Sequence, residues 1–287
     1  MACPSCGGAL GAPIPYPGAQ RWQEARFAAD RILFCAQCGL GAADPLPAQA
    51  ALDAFYSGGG YWHAVSDGAS QSAHARNQCR HRARHAMQSR SHRGRLRVLD
   101  VGAGEAWLGE QLAPAAYDFV EPDPQLRERA ADRLGERARA FASLDEVGGG
   151  YDLVFVNQVL EHVADPGAFL SGMAARLANA GALYIEVPHS DYRFKADVFP
   201  HTLFFTPESL VRVAERAGLA TISCEAFGWM PESRPLAARL AGKAALKFGA
   251  AGGIAPLANA GDDLLFGYAA GTDGIWLRWL GRRAGTA

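Results

Sequence analysis

The chain has 287 residues, a net charge of −1, 49% hydrophobic residues and 20% charged residues. This composition is typical of a soluble globular protein, and no uncharged apolar run approaches the ~20 residues that a membrane span requires. The length is sufficient for one large α/β domain and a small accessory module. The chain starts with MACPSCGG, without a positively charged region before an apolar stretch, so we expect no secretory signal and a cytoplasmic location.

Charge is distributed unevenly along the chain. Residues 1–99 contain 11 Arg and 5 acidic residues, a net +6, whereas the remainder contains 17 Lys plus Arg and 24 acidic residues, a net −7. Such asymmetry indicates either an anion-binding face or two parts of opposite sign that attract each other across a shared interface. The pattern alone leaves both interpretations open.

Four of the six cysteines form two Cys-x-x-Cys pairs near the N-terminus: Cys3, Cys6, Cys35 and Cys38. The 28 residues between the pairs are typical of a zinc ribbon, in which four thiolates hold one ion at about 2.3 Å. The alternatives to zinc are two disulfides or a redox-active Cys-x-x-Cys. The absence of a secretion signal argues against disulfides, and the presence of two pairs argues against a redox motif. We predict a structural zinc site that folds residues 1–45. Cys79 and Cys224 are expected to pack in the core.

Residues 46–93 are expected to form a helical linker or lid. Gly58, Gly59 and Gly60 indicate a hinge, which the aromatic residues Tyr56, Tyr61 and Trp62 flank. A helix is predicted from residue 70 to residue 93. Between Gly68 and Leu99 there are eight Arg, four His and no acidic residue, a run that suits either phosphate groups or a solvated helix docked on an acidic domain.

A predicted strand at residues 96–101 leads into Gly102, Ala103 and Gly104 and then a helix. A glycine turn at this point lets a ligand approach the backbone, as in nucleotide-binding sheets. Trp107 occupies the third glycine position of the dinucleotide fingerprint, which disfavours a nicotinamide cofactor. The segment VLDVGAG resembles the first motif of class I S-adenosylmethionine-dependent methyltransferases. By that resemblance, Asp100, Gly102 and Gly104 lie beside the methionine portion of the cofactor.

The next two predicted strands supply further candidates for cofactor binding. The strand at residues 117–121 ends in Glu121, whose carboxylate is suited to accept both ribose hydroxyl hydrogens. The sequence VEPDP resembles the ribose loop of the same family, with Asp123 at its edge. A shorter strand at residues 138–142 precedes Leu144, which the resemblance places beside adenine.

A fourth apolar strand, residues 150–156, is followed by Asn157, which we expect to face the transferable methyl group. The segment DLVFVNQVLEHVADP resembles small-molecule methyltransferases, and the resemblance implies a Rossmann-like, doubly wound, seven-stranded sheet in residues 94–287. In quinone-biosynthesis O-methyltransferases the comparable loop carries Glu, Glu and His that bind a metal. Here those positions are Gln158, Glu161 and His162, so one carboxylate is missing. Glu161 and His162 suit a structural role and a catalytic role equally.

Two histidines follow the fifth predicted strand, residues 181–187: His189 and His201. The paired N-terminal cysteines, EVPH and the later histidine resemble C-methyltransferases that act on nucleotide-linked deoxysugars. Those enzymes carry a Tyr-x-Glu-His cluster where this chain has VFPH, residues 198–201, so only the histidine remains. His201, or secondly His189, is the general-base candidate, and a histidine bonded within a loop is the alternative.

The C-terminal part has four predicted elements. Thr206 and Pro207 indicate the start of a helix, and a strand follows at residues 219–224. An inserted Ala-rich helix within residues 233–258 is expected to cover the substrate, before a final strand at residues 263–269. Residues 275–280 have apolar positions at helical spacing.

We therefore predict a methyltransferase that acts on a small metabolite, for example a phosphate-bearing nucleotide sugar. Carbon, oxygen and nitrogen remain open as the acceptor atom. The first alternative is an RNA methyltransferase that grips nucleic acid with its ribbon and Arg-rich segment, which near-neutral charge and only three Lys disfavour. The second is a non-catalytic scaffold that binds the cofactor.

Overall fold

The computed structural model describes residues 2–25, 27–58, 69–88, 96–112, 116–230, 232–268, 270–271 and 273–285. Part of the predicted linker falls outside these ranges. The hinge glycines Gly59 and Gly60, the aromatic residues Tyr61 and Trp62, and the end of the basic run at residues 89–95 are therefore not described.

Helices and strands alternate through most of the described chain. The strands are β1 Ile14–Pro15, β2 Arg31–Phe34, β3 Gly41–Asp44, β4 Arg97–Val101, β5 Ala116–Val120, β6 Ala138–Phe141, β7 Tyr151–Asn157, β8 Leu177–Pro188, β9 Leu203–Phe204, β10 Leu219–Phe227, β11 Ala270–Gly271 and β12 Trp276–Arg283. The helices are α1 Ala19–Glu24, α2 Gln49–Ser57, α3 Ala69–Gln88, α4 Leu108–Gln111, α5 Pro124–Leu134, α6 Pro166–Arg176, α7 Pro207–Arg216, α8 Leu236–Ala251 and α9 Ala255–Phe266.

The main sheet has the strand order β11-β10-β12-β8-β7-β4-β5-β6. Strands β8, β7, β4, β5 and β6 are parallel, and β12 runs antiparallel between β8 and β10. The chain builds outwards from β4 to β6 and then continues on the other side of β4 with β7 and β8. Apart from the two-residue β11, this is the predicted seven-stranded, Rossmann-like sheet, which is confirmed. Its strand order reverses beside β4, where doubly wound sheets bind ligands.

Both faces of this sheet are covered. On one face, Leu99, Val154 and Ile185 belong to a buried cluster that includes residues of α6 and α7. On the other face, Val98 and Phe155 pack with residues of α3, α4 and α5. Neighbouring strand residues are therefore buried on opposite faces, which explains the continuous apolar runs of these strands.

Local sequence determines where several helices begin. The side chain of Thr206 accepts a hydrogen bond from the backbone N–H of Ser209, and Pro207 occupies the first turn of α7. Asp165 caps α6 in the same way by accepting from Ala168. A capping oxygen satisfies an N–H group that has no partner within the helix. The predicted start of α7 is confirmed.

A second sheet, of order β1-β2-β3-β9, connects the N-terminal segment to the rest of the protein. Strand β9 belongs to the long connection after β8, and its pairing aligns Gly41 with Phe204 and Ala42 with Leu203. The buried side chains of Tyr16, Trp22 and Phe204 pack in the small core behind this sheet. The cysteine-bearing segment is thus bound to the large domain through a shared sheet.

The C-terminal part differs from the sequence-based expectation. Residues 263–266 of the predicted final strand end helix α9, and residues 275–280, whose apolar positions have helical spacing, are largely strand β12. Strand β12 lies between two strands, so the adjacent residues Trp279 and Leu280 are both buried although they face opposite sides. A strand buried on both faces loses its alternating pattern, and apolar residues at any spacing then resemble a helix.

Candidate active site and cysteine cluster

The cofactor candidates meet at the carboxyl ends of the central strands. Asp100 lies near the end of β4, Glu121 directly follows β5, and Asn157 is the last residue of β7. Because β5, β4 and β7 are parallel neighbours, these three polar side chains share one edge of the sheet. This edge lies beside the reversal of strand order.

The loop after β4 needs its glycines for two different reasons. Gly102 and Gly104 have φ angles of 66° and 56°, a region that favours glycine. A Cβ atom on Gly102 would also lie 2.4 Å from Cγ2 of Val159, so no side chain fits there. The backbone N–H groups of Gly102 and Ala103 donate to the carbonyl of Val120, which fixes the loop against β5.

Glu121 is a buried carboxylate that joins the two cofactor segments. It accepts hydrogen bonds from the backbone N–H of Gly104 at 2.7 Å and of Asp123 at 2.9 Å. Burial raises the pKa of Glu121 to about 6, and the negative Asp123 and Asp100 add to this effect. A carboxylate offers about four lone-pair positions, so two acceptor positions remain beyond these two bonds. This capacity fits a ribose diol.

Asp100 is held by two partners on neighbouring strands. The hydroxyl of Tyr117 donates to its carboxylate at 2.5 Å, and the amide of Asn157 donates at 3.4 Å. Burial raises the pKa of Asp100 to about 6. Asn157 therefore contacts Asp100, another cofactor-binding candidate, directly. Tyr117, which sequence reasoning missed, orients the Asp100 carboxylate. An aromatic residue in an apolar strand gives no signal of this contact.

The two remaining cofactor candidates have structural contacts. Asp123 caps α5, because its carboxylate accepts from the backbone N–H groups of Gln125 and Leu126. Leu144 begins a short 3-10 helix after β6 and packs against the buried core. Both lie on connections that follow the carboxyl ends of β5 and β6.

His201 pairs with a carboxylate that sequence reasoning missed. Its Nδ1 atom lies 3.0 Å from Oδ2 of Asp191, although the ring is not aligned for a regular hydrogen bond. Lys195 contacts the same carboxylate at 2.9 Å. Burial raises the pKa of Asp191, but His201 and Lys195 outweigh it and hold this pKa below its usual range. Asp191 lies three residues after β8, and His201 lies ten residues further along the same connection to β9, so the fold of this connection brings the two side chains together.

Glu161 and His162 lie beside His201. The potential ligand atoms of these three residues all lie within 4.8 Å of one another. Burial, with a smaller contribution from His201, lowers the pKa of His162 to about 3. Burial also raises the pKa of Glu161 well above its usual value, and neither of its carboxylate oxygens has a hydrogen-bond partner among the described residues. A neutral imidazole and a carboxyl group without a hydrogen bond are suited to proton transfer or to holding a cation.

His189 occupies a different position. Its Nδ1 atom lies 2.8 Å from the carbonyl of Gly274, and its backbone N–H donates to Ile275. Within the described parts of the chain, the group formed by Glu161, His162 and His201 does not include it. The structure thus brings His162 and His201 together and leaves His189 with the segment before β12.

Helix α3 reaches the same region through an arginine. Arg82 Nε donates to the Glu186 carboxylate at 3.1 Å, and a guanidinium nitrogen makes a second, short contact with the same oxygen. Tyr184 donates to the other oxygen of Glu186. Both partners are largely buried, and Glu186 lies on β8 next to the site. The sequence indicated a basic helix but not which of its arginines pairs with the sheet.

The four N-terminal cysteines converge, with all four Sγ atoms within 4.8 Å of one another. The closest pairs are Cys3 with Cys38 at 3.5 Å and Cys6 with Cys35 at 3.4 Å. These distances are too long for disulfides, and they approach the ~3.8 Å that separates thiolates around a tetrahedral ion with 2.3 Å bonds. The donor set and its spacing therefore fit zinc.

The backbone around the cysteines suits thiolates. The N–H groups of Gly8 and Gln37 point at the sulfurs of Cys6 and Cys35, at 3.4 Å each. Burial raises the pKa of Cys35, but backbone N–H groups outweigh it and lower this pKa to about 7. The glycine after each pair, Gly7 or Gly39, has a positive φ angle. These glycines therefore allow the turn, whereas at Gly8 a Cβ atom would lie only 3.1 Å and 3.3 Å from the sulfurs of Cys6 and Cys35.

Comparison with known proteins agrees with this architecture. The profile of the methyltransferase domain family matches residues 72–224, which is more than half of the chain. A ubiquinone biosynthesis O-methyltransferase of Ruegeria sp. is 27% identical over 160 residues, which cover 47% of this chain and 65% of the relative. That of Caulobacter sp. is 34% identical over 100 residues, 31% of this chain and 40% of the relative. The chain thus spans less than two thirds of the length of these relatives.

Solved structures show the same fold at low identity. A SAM-dependent methyltransferase of Leishmania major aligns with a TM-score of 0.52 and 20% identity, over 79% of this chain and 82% of that one. A SAM-dependent methyltransferase of Thermotoga maritima gives a TM-score of 0.51 and 14% identity, over 80% and 97%. With the family match and the sheet topology, the chain belongs to the methyltransferase domain family.

Proposed function

We propose that this protein transfers the methyl group of S-adenosylmethionine to a hydroxyl oxygen of a small organic acceptor, with His201 as the general base. The observation that carries the proposal is the buried pair of Asp191 and His201, whose residues follow β8 on the edge of the sheet that holds the cofactor candidates. An ionised carboxylate beside an imidazole stabilises the imidazolium that proton removal produces.

Cofactor binding would rest on the residues at the ends of β4, β5 and β7. Glu121 would accept the ribose hydroxyls, and the backbone of Gly102 and Gly104 would allow the methionine part to approach. Asp100, held by Tyr117 and Asn157, would face that same part. Asp123 and Leu144 remain weaker candidates, since capping and core contacts account for both. The cofactor supplies an electrophilic methyl group on a positively charged sulfur.

In the proposed reaction the acceptor oxygen attacks the methyl carbon in line with the sulfonium. The C–O bond forms as the C–S bond breaks, the sulfur keeps the electron pair, and the hydroxyl proton passes to His201. Alignment of the two reactants supplies much of the rate, and general-base catalysis contributes about 10²–10⁴-fold. His162 and Glu161 would line the acceptor side of this arrangement.

An oxygen acceptor is supported by two independent points. A hydroxyl must lose its proton, whereas a neutral amine attacks with its free lone pair, so a positioned base matters most for oxygen and acidic carbon. The curated relatives are named as O-methyltransferases of ubiquinone biosynthesis. The acceptor is then a small metabolite, and a hydroxyl on a sugar or nucleotide-linked sugar belongs to the same class.

Carbon methylation of a nucleotide-linked sugar receives less support. The positions that correspond to the Tyr-x-Glu-His cluster hold Val198, Phe199 and Pro200 before His201. Val198 is buried in the small N-terminal core, and the ring of Phe199 packs edge-on against Trp22. These side chains stabilise the attachment of the ribbon and carry no acid or base.

An RNA acceptor is also less well supported. Several basic residues of α3 pair with acidic residues of the large domain: Arg80 and His81 with Asp263, Arg82 with Glu186, and His74 with Asp262. These contacts favour the interpretation that the basic N-terminal third of the chain and the acidic remainder attract each other. Arginines that are paired internally, such as Arg80 and Arg82, contribute little to phosphate binding.

Zinc bound by Cys3, Cys6, Cys35 and Cys38 would be structural. All four tetrahedral positions would be filled by sulfur, which leaves no position for water or substrate. Arg212 and Arg216 of α7 donate to backbone carbonyls of Gln37 and Ser5, so the cysteine-bearing turns rest on the methyltransferase domain. We keep the division into a ribbon at residues 1–45, a linker or lid at 46–93 and a methyltransferase domain at 94–287.

The proposal is tested with methyl-labelled S-adenosylmethionine and a panel of acceptors: catechols, sugars, nucleotide sugars and structured RNA. Product analysis identifies the acceptor atom. We expect label on a hydroxyl oxygen of a small molecule and at least a 100-fold lower kcat in His201→Gln. Label on RNA or on carbon, or wild-type kcat in His201→Gln, would overturn the proposal.

A further inference from the structure

Helices α8 and α9 form a hairpin that is attached to the domain through the acidic side of α9. The buried Asp262 accepts hydrogen bonds from Asn77 at 2.8 Å and from Tyr268 at 2.7 Å, and pairs with His74 at 2.6 Å. Asp263 pairs with His81 at 2.7 Å. The acidic residues of the hairpin thus face α3 and have hydrogen-bond partners there.

The two helices of the hairpin contact each other through glycines. A Cβ atom on Gly249 would lie 2.3 Å from the backbone nitrogen of Ala258, and one on Gly261 would lie 2.3 Å from that of Leu246. Such close backbone approach leaves little room for large side chains between the helices. Most large apolar residues of the hairpin therefore lie on its outside.

The outer surface of the hairpin is unusually apolar for this protein. Eight large hydrophobic side chains are exposed among the described residues, and six of them belong to the hairpin: Leu236, Leu240, Phe248, Ile254, Leu257 and Leu264. Phe248 is 69% exposed and Leu240 is 60% exposed. Phe248 and Ile254 lie on the two sides of the turn that connects the helices. Clustered exposure of this kind marks a contact surface, whereas isolated exposed residues are ordinary.

The charges of this surface have a single sign. Between residues 233 and 261 the sequence contains Arg234, Arg239, Lys243 and Lys247 and no acidic residue. Arg239, Lys243 and Lys247 are exposed. Two of the three lysines of the whole chain therefore lie on one face of α8 with Leu240. Glu232 is the nearest preceding acid.

We propose that the α8–α9 hairpin is a peripheral docking surface for an anionic lipid bilayer. Apolar side chains would enter the boundary between headgroups and acyl chains, while the basic residues contact the negative headgroups. A second copy of the chain fits less well, because two such surfaces would bring six exposed cations together without an acidic partner. None of the described helices is long and apolar enough to cross a membrane. This inference does not depend on the proposed acceptor.

Vesicle sedimentation with the full, zinc-loaded chain tests this surface. We expect the protein to sediment with phosphatidylcholine vesicles that contain phosphatidylglycerol, and much less with phosphatidylcholine alone. Leu240→Ser/Phe248→Ser should lower the partition coefficient about tenfold or more. Lys243→Gln/Lys247→Gln should lower it by about fivefold for each lysine, and added salt should reproduce this loss.

The matched control is Ile222→Ser, which removes another exposed apolar side chain, on β10 and outside the hairpin. It should sediment like the wild type, and circular dichroism should show that all variants are folded. Failure of the wild type to bind the anionic vesicles, or equal binding by Leu240→Ser/Phe248→Ser, would overturn the proposal. The proposal would also be overturned if the wild type forms a concentration-dependent dimer without binding vesicles and Leu240→Ser/Phe248→Ser abolishes that dimer.

Discussion

The backbone N–H of Gly104 donates a 2.7 Å hydrogen bond to the carboxylate of Glu121. This bond joins the glycine loop after β4 to the acidic residue after β5, so both halves of the cofactor site hold each other in place. Glu121→Ala should therefore weaken S-adenosylmethionine binding by loss of the ribose contact and of loop order. We expect at least a tenfold higher Kd by calorimetry. Glu128→Gln, an exposed change on α5, should bind like the wild type, and an unchanged Kd in Glu121→Ala would contradict the assignment.

Cofactor binding should depend on pH through the same carboxylate. Burial raises the pKa of Glu121 to about 6, and only the ionised form can accept from both ribose hydroxyls. The cofactor also carries a positive sulfonium, which favours ionised carboxylates. Binding below pH 6 should therefore release protons, and the Kd should rise as the pH falls from 7 to 5. Calorimetry in buffers of different ionisation enthalpy measures this release. A Kd that is constant over this range would exclude a titrating carboxylate from the site.

Asp191 should act as a positioning residue for His201. Asp191→Asn removes the negative charge 3.0 Å from the imidazole while it preserves the shape of the side chain. We expect kcat to fall about tenfold or more, with little change in cofactor Kd. His189→Gln serves as the comparison and should retain activity. If Asp191→Asn and His189→Gln have the same kcat, the pair of Asp191 and His201 has no role in catalysis.

The ion pair between Arg82 and Glu186 should be important for stability. Arg82→Ala leaves a buried carboxylate without its partner, which costs about 3 kcal/mol or more in the free energy of unfolding. Arg84→Ala, an exposed change two residues further along α3, should lie within about 0.5 kcal/mol of the wild type. Urea unfolding measures both. Equal stability of the two variants would show that the pair is not buried in solution.

The cysteine cluster should bind one zinc ion per chain. Cys38→Ser removes a ligand and should lower both zinc content and the thermal midpoint, because the ribbon segment has only a small core of its own. Cys224→Ser is the matched control, since this half-buried cysteine lies outside the cluster. Metal analysis should give about one zinc for the control and much less for Cys38→Ser. A wild-type protein purified without bound metal, and folded, would contradict a zinc role.

Much of the fold can be predicted from the sequence, because turn and cap residues agree with the apolar pattern of the neighbouring strands and helices. The glycine loop around Gly102, the acid at Glu121 and the cap at Thr206 each have a local physical cause that one sequence reveals. Strand β12 cannot be recognised in this way, because burial on both faces removes its alternation around Trp279. The missed contact between Tyr117 and Asp100 joins two separate strands, so only the sheet topology determines it. The missed contact between Asp191 and His201 depends on how the connection from β8 to β9 folds, which no local pattern reveals.

Methyl transfer from methyl-labelled S-adenosylmethionine to hydroxylated small acceptors, compared between the wild type and His201→Gln, tests O-methylation with His201 as the base most directly. We expect label on oxygen, a kcat at least 100-fold lower in the variant and the same cofactor Kd in both. Wild-type kcat in His201→Gln, or transfer by the wild type to an acceptor atom other than oxygen, would contradict this role of His201.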